Sequence, residues 1–185
     1  MATALVKEGK ADAVVSMGST GALMASAYLA LGPLEGIERP VLGGPFLGYA
    51  PETVVIDMGS NVDARPAQFL DFAAVGIALC RTFLKVSNPT VALLNVGAED
   101  TKGNKQAKEA FSLLKQSGLN FTGNIEAHEV VQGKANVVLC DGFVGNAILK
   151  TTEGLGAIIA KDLGRKLVME AGLSIDVATS IARGL

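Results

Sequence analysis

Residues 137–146, which read VVLCDGFVGN, hold the pattern that decides the fold. The β-branched run from Val137 to Cys140 predicts a short buried strand. It passes directly into a polar, glycine-rich loop, and we expect a helix to begin at about Asn146. A strand, a glycine-containing turn and a helix form the unit from which parallel sheets are built. If the unit recurs along the chain, a parallel sheet is expected.

The unit does recur. Strands are predicted at 13–15, 41–44, 53–58, 91–95 and 121–125, and helices at 3–8, 22–31, 66–84 and 105–116. Three of these strands lead into loops of the same kind, which read SMGSTG (16–21), DMGSN (57–61) and NVGAEDTKGN (95–104). Strands that alternate with helices in this way predict an α/β fold, with a doubly wound, mostly parallel sheet and helices on both faces.

Composition narrows the class of protein. The chain has 185 residues, of which 49% are apolar and 18% charged, and its formal net charge is -2. This length and apolar content suit a single core, so we expect one α/β domain over residues 1–185. Lysine and arginine form no basic run, which argues against a nucleic acid partner. The two cysteines have no metal-ligand spacing, so no metal is expected. The charged start and the lack of a long apolar run predict a cytoplasmic protein that neither spans a membrane nor is exported.

The four glycine-rich loops predict the position of the active site. In an open parallel sheet the carboxyl ends of the strands lie along one edge, so the loops should converge on one crevice there. Glycine lets backbone N–H groups approach a ligand, and a helix that starts after such a loop points free N–H groups at it. The sequence therefore predicts an anion site at this edge.

Single residues in the loops are less decisive. Ser19, Thr20 and Gly21 form a plausible anion cradle, although an ordinary turn between strand and helix explains them equally well. Asp57 is suited to metal binding, to orienting a nucleophile or to capping, whereas Asp63 is better suited to capping a helix. Lys102 is the one cation in the four loops, with a solvated lysine as the alternative.

Two further side chains invite a catalytic interpretation. Cys140 lies at a strand end, but its candidate base, His128, is in a different loop, and a buried thiol is the better interpretation. His128 itself is expected at the surface. Neither residue is therefore included in the candidate site.

Several motifs together resemble a known family. They are residues 11–24 (ADAVVSMGSTGALM), 93–99 (LLNVGAE), 102–104 (KGN), 121–126 (FTGNIE), 140–146 (CDGFVGN), 149–151 (LKT) and 153–154 (EG). In order and approximate spacing they resemble the acyl carrier protein:phosphate acyltransferase family, over nearly the whole chain. Chains of that family normally begin with a further strand and helix carrying a Gly-Gly-Asp loop and end with further strands, so the resemblance is to the central portion. Ser19 stands where the family often has Asn.

The resemblance implies an activity. Such enzymes move a fatty acyl group from acyl carrier protein to inorganic phosphate, and a membrane glycerol-3-phosphate acyltransferase then uses the acyl phosphate in phospholipid synthesis. The resemblance further implies a fold related to phosphotransacetylases and isopropylmalate dehydrogenases, a homodimer and peripheral association with the membrane. No cofactor is expected.

Site residues follow from the loops and the resemblance taken together. The expected catalytic residues are Lys102, Asp141, Asn146, Asp57 and Lys150. Among them, Asp57 and Lys150 are expected to orient the others. The expected phosphate- and substrate-binding residues are Ser19, Thr20, Gly21, Asn61, Asn104 and Asn124.

Residues 155–183 are expected to form a helical tip. Apolar residues including Leu155, Ile158 and Ile159 share one helical face, which suits either a dimer contact or a membrane surface. Two other functions stay open beside the phosphate acyltransferase. One is a phosphotransacetylase-like enzyme that uses coenzyme A thioesters, and the other is an inactive dimerisation or membrane-binding module.

Overall fold

The computed structural model describes residues 1–45 and 47–183. Phe46, within a turn predicted at 45–51, and the last two residues of the predicted domain 1–185 lie outside the described residues. The chain divides into two compact units, residues 1–146 and 147–185, and each is described by itself. The expectation of a single domain stays a prediction.

The first unit contains a five-stranded, mostly parallel sheet. Its strands are β1 (Gly43–Gly44), β2 (Val54–Ile56), β3 (Val91–Leu94), β4 (Phe121–Ile125) and β5 (Val137–Leu139), in the spatial order β1-β2-β5-β3-β4. Strands β2, β5, β3 and β4 are parallel, and β1 joins the edge of β2 antiparallel to it. The predicted α/β fold with a mostly parallel sheet is confirmed.

Helices connect the strands close to the predicted positions. They are α1 (Ala2–Lys7), α2 (Thr20–Leu31), α3 (Gln68–Leu79, continued by a π-helical turn Cys80–Leu84), α4 (Lys105–Gln116), α5 (Ala127–Val130), α6 (Gly142–Met169) and α7 (Ile175–Arg183). The cap predicted at Asp63 is wrong, because the residue before α3 is Ala67 and no side-chain cap is formed there. In the turn before the helix, the Gln68 Oε1 accepts the Arg65 N–H at 2.7 Å.

One predicted strand is wrong. Residues 13–15 are not part of the sheet, and Val15 and the nearby Met17 are almost fully or fully exposed. A β-branched run becomes a strand only when its backbone groups pair with those of a neighbour. Among the described residues no strand lies beside this run, so the first glycine-rich loop does not follow a sheet strand.

The core lies between the sheet and helices α3 and α4. Alternate strand residues such as Ile56, Leu93 and Leu139 pack against Phe72 of α3 and Leu114 of α4, and all five are at most 1% exposed. The other face of the strands is also buried, as expected for parallel strands. This packing fixes the strand ends from which the site loops extend.

Part of α6 and all of the described α7 make up the second unit. Ala178 and Ala182 of α7 are buried, and the exposed side chains of α6 include Leu155, Ile158 and Ile159. Within residues 1–45 and 47–183, no helix is both long enough and apolar enough to cross a membrane.

Candidate functional site

Three of the four glycine-rich loops meet at the carboxyl edge of the sheet. They follow β2, β3 and β5, which are parallel and therefore end on the same side. The Gly142 N–H donates to the Asn61 carbonyl at 2.9 Å, and a Cβ added to Gly59 would lie 3.6 Å from the Asn146 Oδ1. The loops after β2 and β5 are thus in direct contact.

Asp57 organises the loop after β2. Its buried carboxylate accepts the backbone N–H groups of Gly59, Ser60 and Asn61 at 2.7 to 3.1 Å, and that of Leu42 at 3.3 Å. The Ser60 hydroxyl and the Asn61 side-chain amide also donate to it. A carboxylate that accepts this many hydrogen bonds fixes the shape of the loop. Because the Leu42 N–H is used here, β1 begins only at Gly43.

Gly145 lets the loop after β5 approach β2 closely. A Cβ at this position would lie 1.8 Å from the Asp57 carbonyl oxygen and 3.0 Å from the Cys140 sulfur. Atoms cannot come this near without a shift of the backbone. The absence of a side chain at Gly145 is therefore a requirement for the contact between the two loops.

Two predicted site residues cap helices. The Asp141 Oδ1 accepts the Val144 N–H at 2.8 Å, which starts α6 at Gly142 and not at the predicted Asn146. The Asn104 Oδ1 accepts the Ala107 N–H at 2.8 Å and caps α4 in the same way. Both caps lie at helix N-termini, where the partial positive charge of the helix favours an anion.

These two caps border one polar cavity of about 580 Å³. It is lined from the loop after β2 by Val62, Asp63, Ala64, Arg65 and Pro66, from the start of α4 by Asn104, Lys105, Gln106 and Glu109, and from the loop after β5 by Asp141 and Phe143. The Gln106 side-chain amide donates to the Ala64 carbonyl and joins two of the walls. The cavity is the place where the three loops meet.

Two positively charged side chains that the sequence analysis did not single out, those of Arg65 and Lys105, line this cavity. Arg65 forms an ion pair with Glu38, and Lys105 lies 3.8 Å from Glu109. Both residues lie just outside the glycine-rich loops, one before α3 and one at the first position of α4, so loop composition gave no signal for them. Of the two carboxylate partners, only Glu109 also lines the cavity.

Lys102 precedes Asn104 by two residues and is not among the residues that line this cavity. Its side chain is 49% exposed and its ammonium lies 3.8 Å from the Glu99 carboxylate. Its backbone is fixed at both ends, since its N–H donates to the Glu99 carbonyl at 3.0 Å and its own carbonyl accepts from the Asn95 side chain at 3.1 Å. The loop therefore presents Lys102 from a defined backbone position.

Asn61 and Asn124 are the buried amides of the predicted site, each 6% exposed. Asn61 donates to the Asp57 carboxylate, to the Pro40 carbonyl and to the Ser60 hydroxyl, so its amide group is engaged within the protein. Asn124 is the last residue but one of β4 and donates to the Glu99 carbonyl at 2.8 Å. Asn61 therefore stabilises the loop after β2, and Asn124 stabilises the loop after β3.

Four predicted site residues remain. Ser19, Thr20 and Gly21 are exposed where α2 begins, and within the described residues none of them hydrogen-bonds to another glycine-rich loop. Lys150 belongs to the second unit, where its ammonium pairs with the Glu153 carboxylate at 2.7 Å. Their assignment to the site stays a prediction.

The cysteines are buried. Burial raises the pKa of the Cys140 thiol, and the negative charges of Asp141 and Asp57 raise it further. Burial also raises the pKa of Cys80 to about 11. Both thiols are thus protonated at neutral pH, as the buried-thiol interpretation requires. In the part of the chain that the structure describes, no group of three or more His, Cys, Asp or Glu residues is arranged to hold a metal ion.

Comparison with known proteins places this site in a family context. A family profile described as "Fatty acid synthesis protein" matches residues 1–174. A protein of Syntrophomonas wolfei named phosphate acyltransferase is 47% identical over 169 residues, which cover 88% of this chain and 52% of that protein.

Two further relatives carry the same name. The phosphate acyltransferase of Clostridium acetobutylicum is 48% identical over 159 residues, covering 86% of this chain and 48% of that protein. That of Moorella thermoacetica is 44% identical over 179 residues, covering 95% of this chain and 53% of that protein. The chain spans about half the length of the curated relatives it matches.

Proposed function

The chain belongs to the family of fatty acid synthesis proteins, and from this membership we propose that it is a phosphate acyltransferase that moves a fatty acyl group from acyl carrier protein to inorganic phosphate. The observation that carries the proposal is the meeting of three glycine-rich loops at the carboxyl edge of the parallel sheet, around one polar cavity. That edge is where open α/β sheets bind their ligands.

The chemistry of this transfer suits such a site. A phosphate oxygen attacks the thioester carbonyl, the carbon–sulfur bond breaks, and the thiolate leaves with a proton from solvent, giving acyl phosphate. Phosphate is already an anion at neutral pH, so no serine or cysteine nucleophile is needed. The site has to hold the phosphate in place and stabilise the oxyanion that develops on the carbonyl.

The predicted residues take different roles in this proposal. In the proposal Lys102 and the N-termini of α4 and α6, capped by Asn104 and Asp141, attract the phosphate. Asn146 contacts the substrate, and Asp57, with Asn61, holds the loop that faces it. Ser19, Thr20, Gly21 and Lys150 complete the proposed set, and Asn124 supports the loop of Lys102.

A groove beside Asn61 is the proposed place for the acyl chain. It has a volume of about 580 Å³ and is lined on one side by Met24, Ala25, Tyr28 and Leu29 of α2. Each methylene buried there contributes about 0.8 kcal/mol to binding. Its position next to Ser60 and Asn61 connects it to the loop after β2.

The direct test is formation of acyl phosphate, detected by mass spectrometry, when the chain is mixed with an acyl carrier protein thioester and inorganic phosphate. Substitution Lys102→Ala should lower kcat/KM for phosphate about 10 to 10²-fold, as the loss of one hydrogen bond to a charged ligand does. Lys108→Ala is the matched control, because Lys108 is exposed on α4 and should leave the rate unchanged.

The same assay separates the proposal from its alternatives. A faster reaction with the coenzyme A thioester than with the acyl carrier protein thioester would favour a phosphotransacetylase-like enzyme. Absence of acyl phosphate with either donor would reject the transferase. Equal rates for wild type and Lys102→Ala would remove Lys102 from the site.

The proposed reaction also implies partners. We propose that the product is delivered to a membrane glycerol-3-phosphate acyltransferase and that the chain therefore works in the cytoplasm at the membrane surface. We also propose that it is a homodimer. The exposed Leu155, Ile158 and Ile159 of the second unit support a lipid or subunit contact. Flotation with phospholipid vesicles, with Ile158→Glu as the comparison, tests the lipid contact, and sedimentation tests the dimer.

A further inference from the structure

Asn124 shows an unusual combination of burial and incomplete pairing. It is 6% exposed, yet its Oδ1 has no hydrogen-bond partner within residues 1–45 and 47–183. The orientation of the amide is fixed, because the opposite orientation would set two carbonyl oxygens 2.8 Å apart at Glu99. A buried amide that served stability alone would have both of its ends paired, since an unpaired buried polar atom is destabilising. Such a cost is typical of functional sites.

The one hydrogen bond that Asn124 makes reaches the loop of Lys102. Its Nδ2 donates to the Glu99 carbonyl at 2.8 Å, and the same carbonyl accepts the Lys102 N–H at 3.0 Å. The Glu99 carboxylate in turn lies 3.8 Å from the Lys102 ammonium. Asn124 thus ties the exposed turn 99–102 to the end of β4.

A second contact closes the loop on its far side. The Asn95 side-chain amide donates to the Lys102 carbonyl at 3.1 Å. Gly103 packs against Asn95 with a φ of +95°, where an added Cβ would lie 2.6 Å from the Asn95 Oδ1. Asn95 lies at the base of the same loop, and Asp100 within the turn pairs with Lys115 of α4 through two exposed side chains. Asn124 is therefore the buried anchor that reaches the turn from another strand.

We propose that Asn124 is a positioning residue, which sets the place of Lys102 by fixing the Glu99 carbonyl and does not itself contact substrate. This refines the proposed function, on which it rests for the role of Lys102. Loss of the anchor leaves the fold intact and releases the 99–102 turn, so that Lys102 loses its defined position. Phosphate binding then weakens, while the chemical step after binding changes less.

The test uses Asn124→Leu, which has nearly the same size but can neither donate nor accept. Its thermal midpoint should stay within a few degrees of wild type, because the unpaired acceptor is removed together with the donor. Brief trypsin digestion of the folded chain should cut after Lys102 about tenfold faster than in wild type, as loss of one hydrogen bond to the loop predicts. Fragments ending at Lys102 are identified by mass spectrometry.

Matched variants keep the result interpretable. Asn120→Leu, at the other end of β4, removes an exposed amide that donates to Asn88 and should leave cutting at Lys102 unchanged. Asn124→Ser, whose side chain is too short to reach Glu99, replaces Asn124→Leu if the leucine variant is unfolded. Equal cutting at Lys102 in wild type and in the folded Asn124 variant overturns the proposal.

Kinetics distinguish positioning from a general structural role. The KM for phosphate should rise about tenfold in Asn124→Leu with a smaller change in kcat, and on the Lys102→Ala background the substitution should add nothing further. Full additivity of the two substitutions overturns the proposal. If wild type makes no acyl phosphate, the proposed function fails, and the digestion alone then decides whether Asn124 anchors the loop.

Discussion

Replacing Gly145 by alanine should destroy the site and much of the stability of the sheet. The added methyl group would lie 1.8 Å from the Asp57 carbonyl oxygen and 2.8 Å from its carbon, both backbone atoms that cannot turn aside. The start of α6 must then move away from β2. We expect the free energy of unfolding to fall by about 3 kcal/mol, the upper end of the usual cost of overpacking. Urea denaturation followed by circular dichroism measures it.

The same helix offers the control. Gly154 also lies in α6, and a Cβ there would have no neighbouring atom within 4 Å. Gly154→Ala should therefore stabilise the protein by about 0.5 to 1 kcal/mol, because alanine favours a helix over glycine. Equal effects of the two substitutions would contradict the close approach at Gly145.

Asp57→Ala should have a comparable effect for an electrostatic reason. The carboxylate accepts hydrogen bonds from the backbone N–H groups of Gly59, Ser60 and Asn61, and its removal leaves these three donors without that partner. The Leu42 N–H, which also donates to it, keeps the Ser60 hydroxyl at 2.9 Å. We expect a loss of about 3 to 5 kcal/mol in the free energy of unfolding, since each buried unpaired donor costs about 1 to 3 kcal/mol and the costs are not fully additive. Chemical denaturation measures the loss.

Asp63→Ala is the comparison within the same segment. Asp63 is exposed, and its stability effect should stay within about 0.5 kcal/mol, as for surface substitutions in general. A similar small effect of Asp57→Ala would show that the loop keeps its shape without the carboxylate, and the account of Asp57 would have to be abandoned.

Much of the fold was predictable because its signals are local. The bounds of α4 and β4 agree with the sequence, since a strong amphipathic period and a bounded β-branched run each determine one element. The run at 13–15 carries the same local signal and is nevertheless unpaired. Whether a strand finds a neighbour is a property of the whole sheet, which a local pattern does not contain.

The location of the site at the carboxyl edge of the sheet was predictable from the sequence, but the contacts within the site were not. Glycine-rich loops at strand ends identified the region where Asp57, Asn61 and Asp141 come together. The sequence did not reveal that Asn104 caps α4 or that Arg65 and Lys105 line the cavity. Those facts depend on where α3 and α4 begin in space, which is fixed by packing on the sheet.

Binding of inorganic phosphate tests the central claim most directly. The ¹⁵N-labelled chain is titrated with phosphate and the backbone amide signals are followed by NMR. The account predicts that the largest shifts cluster at residues 57–61, 95–104 and 141–146, in three separate stretches of sequence. Shifts spread over unrelated surfaces, or no saturable shift in these stretches, would contradict it.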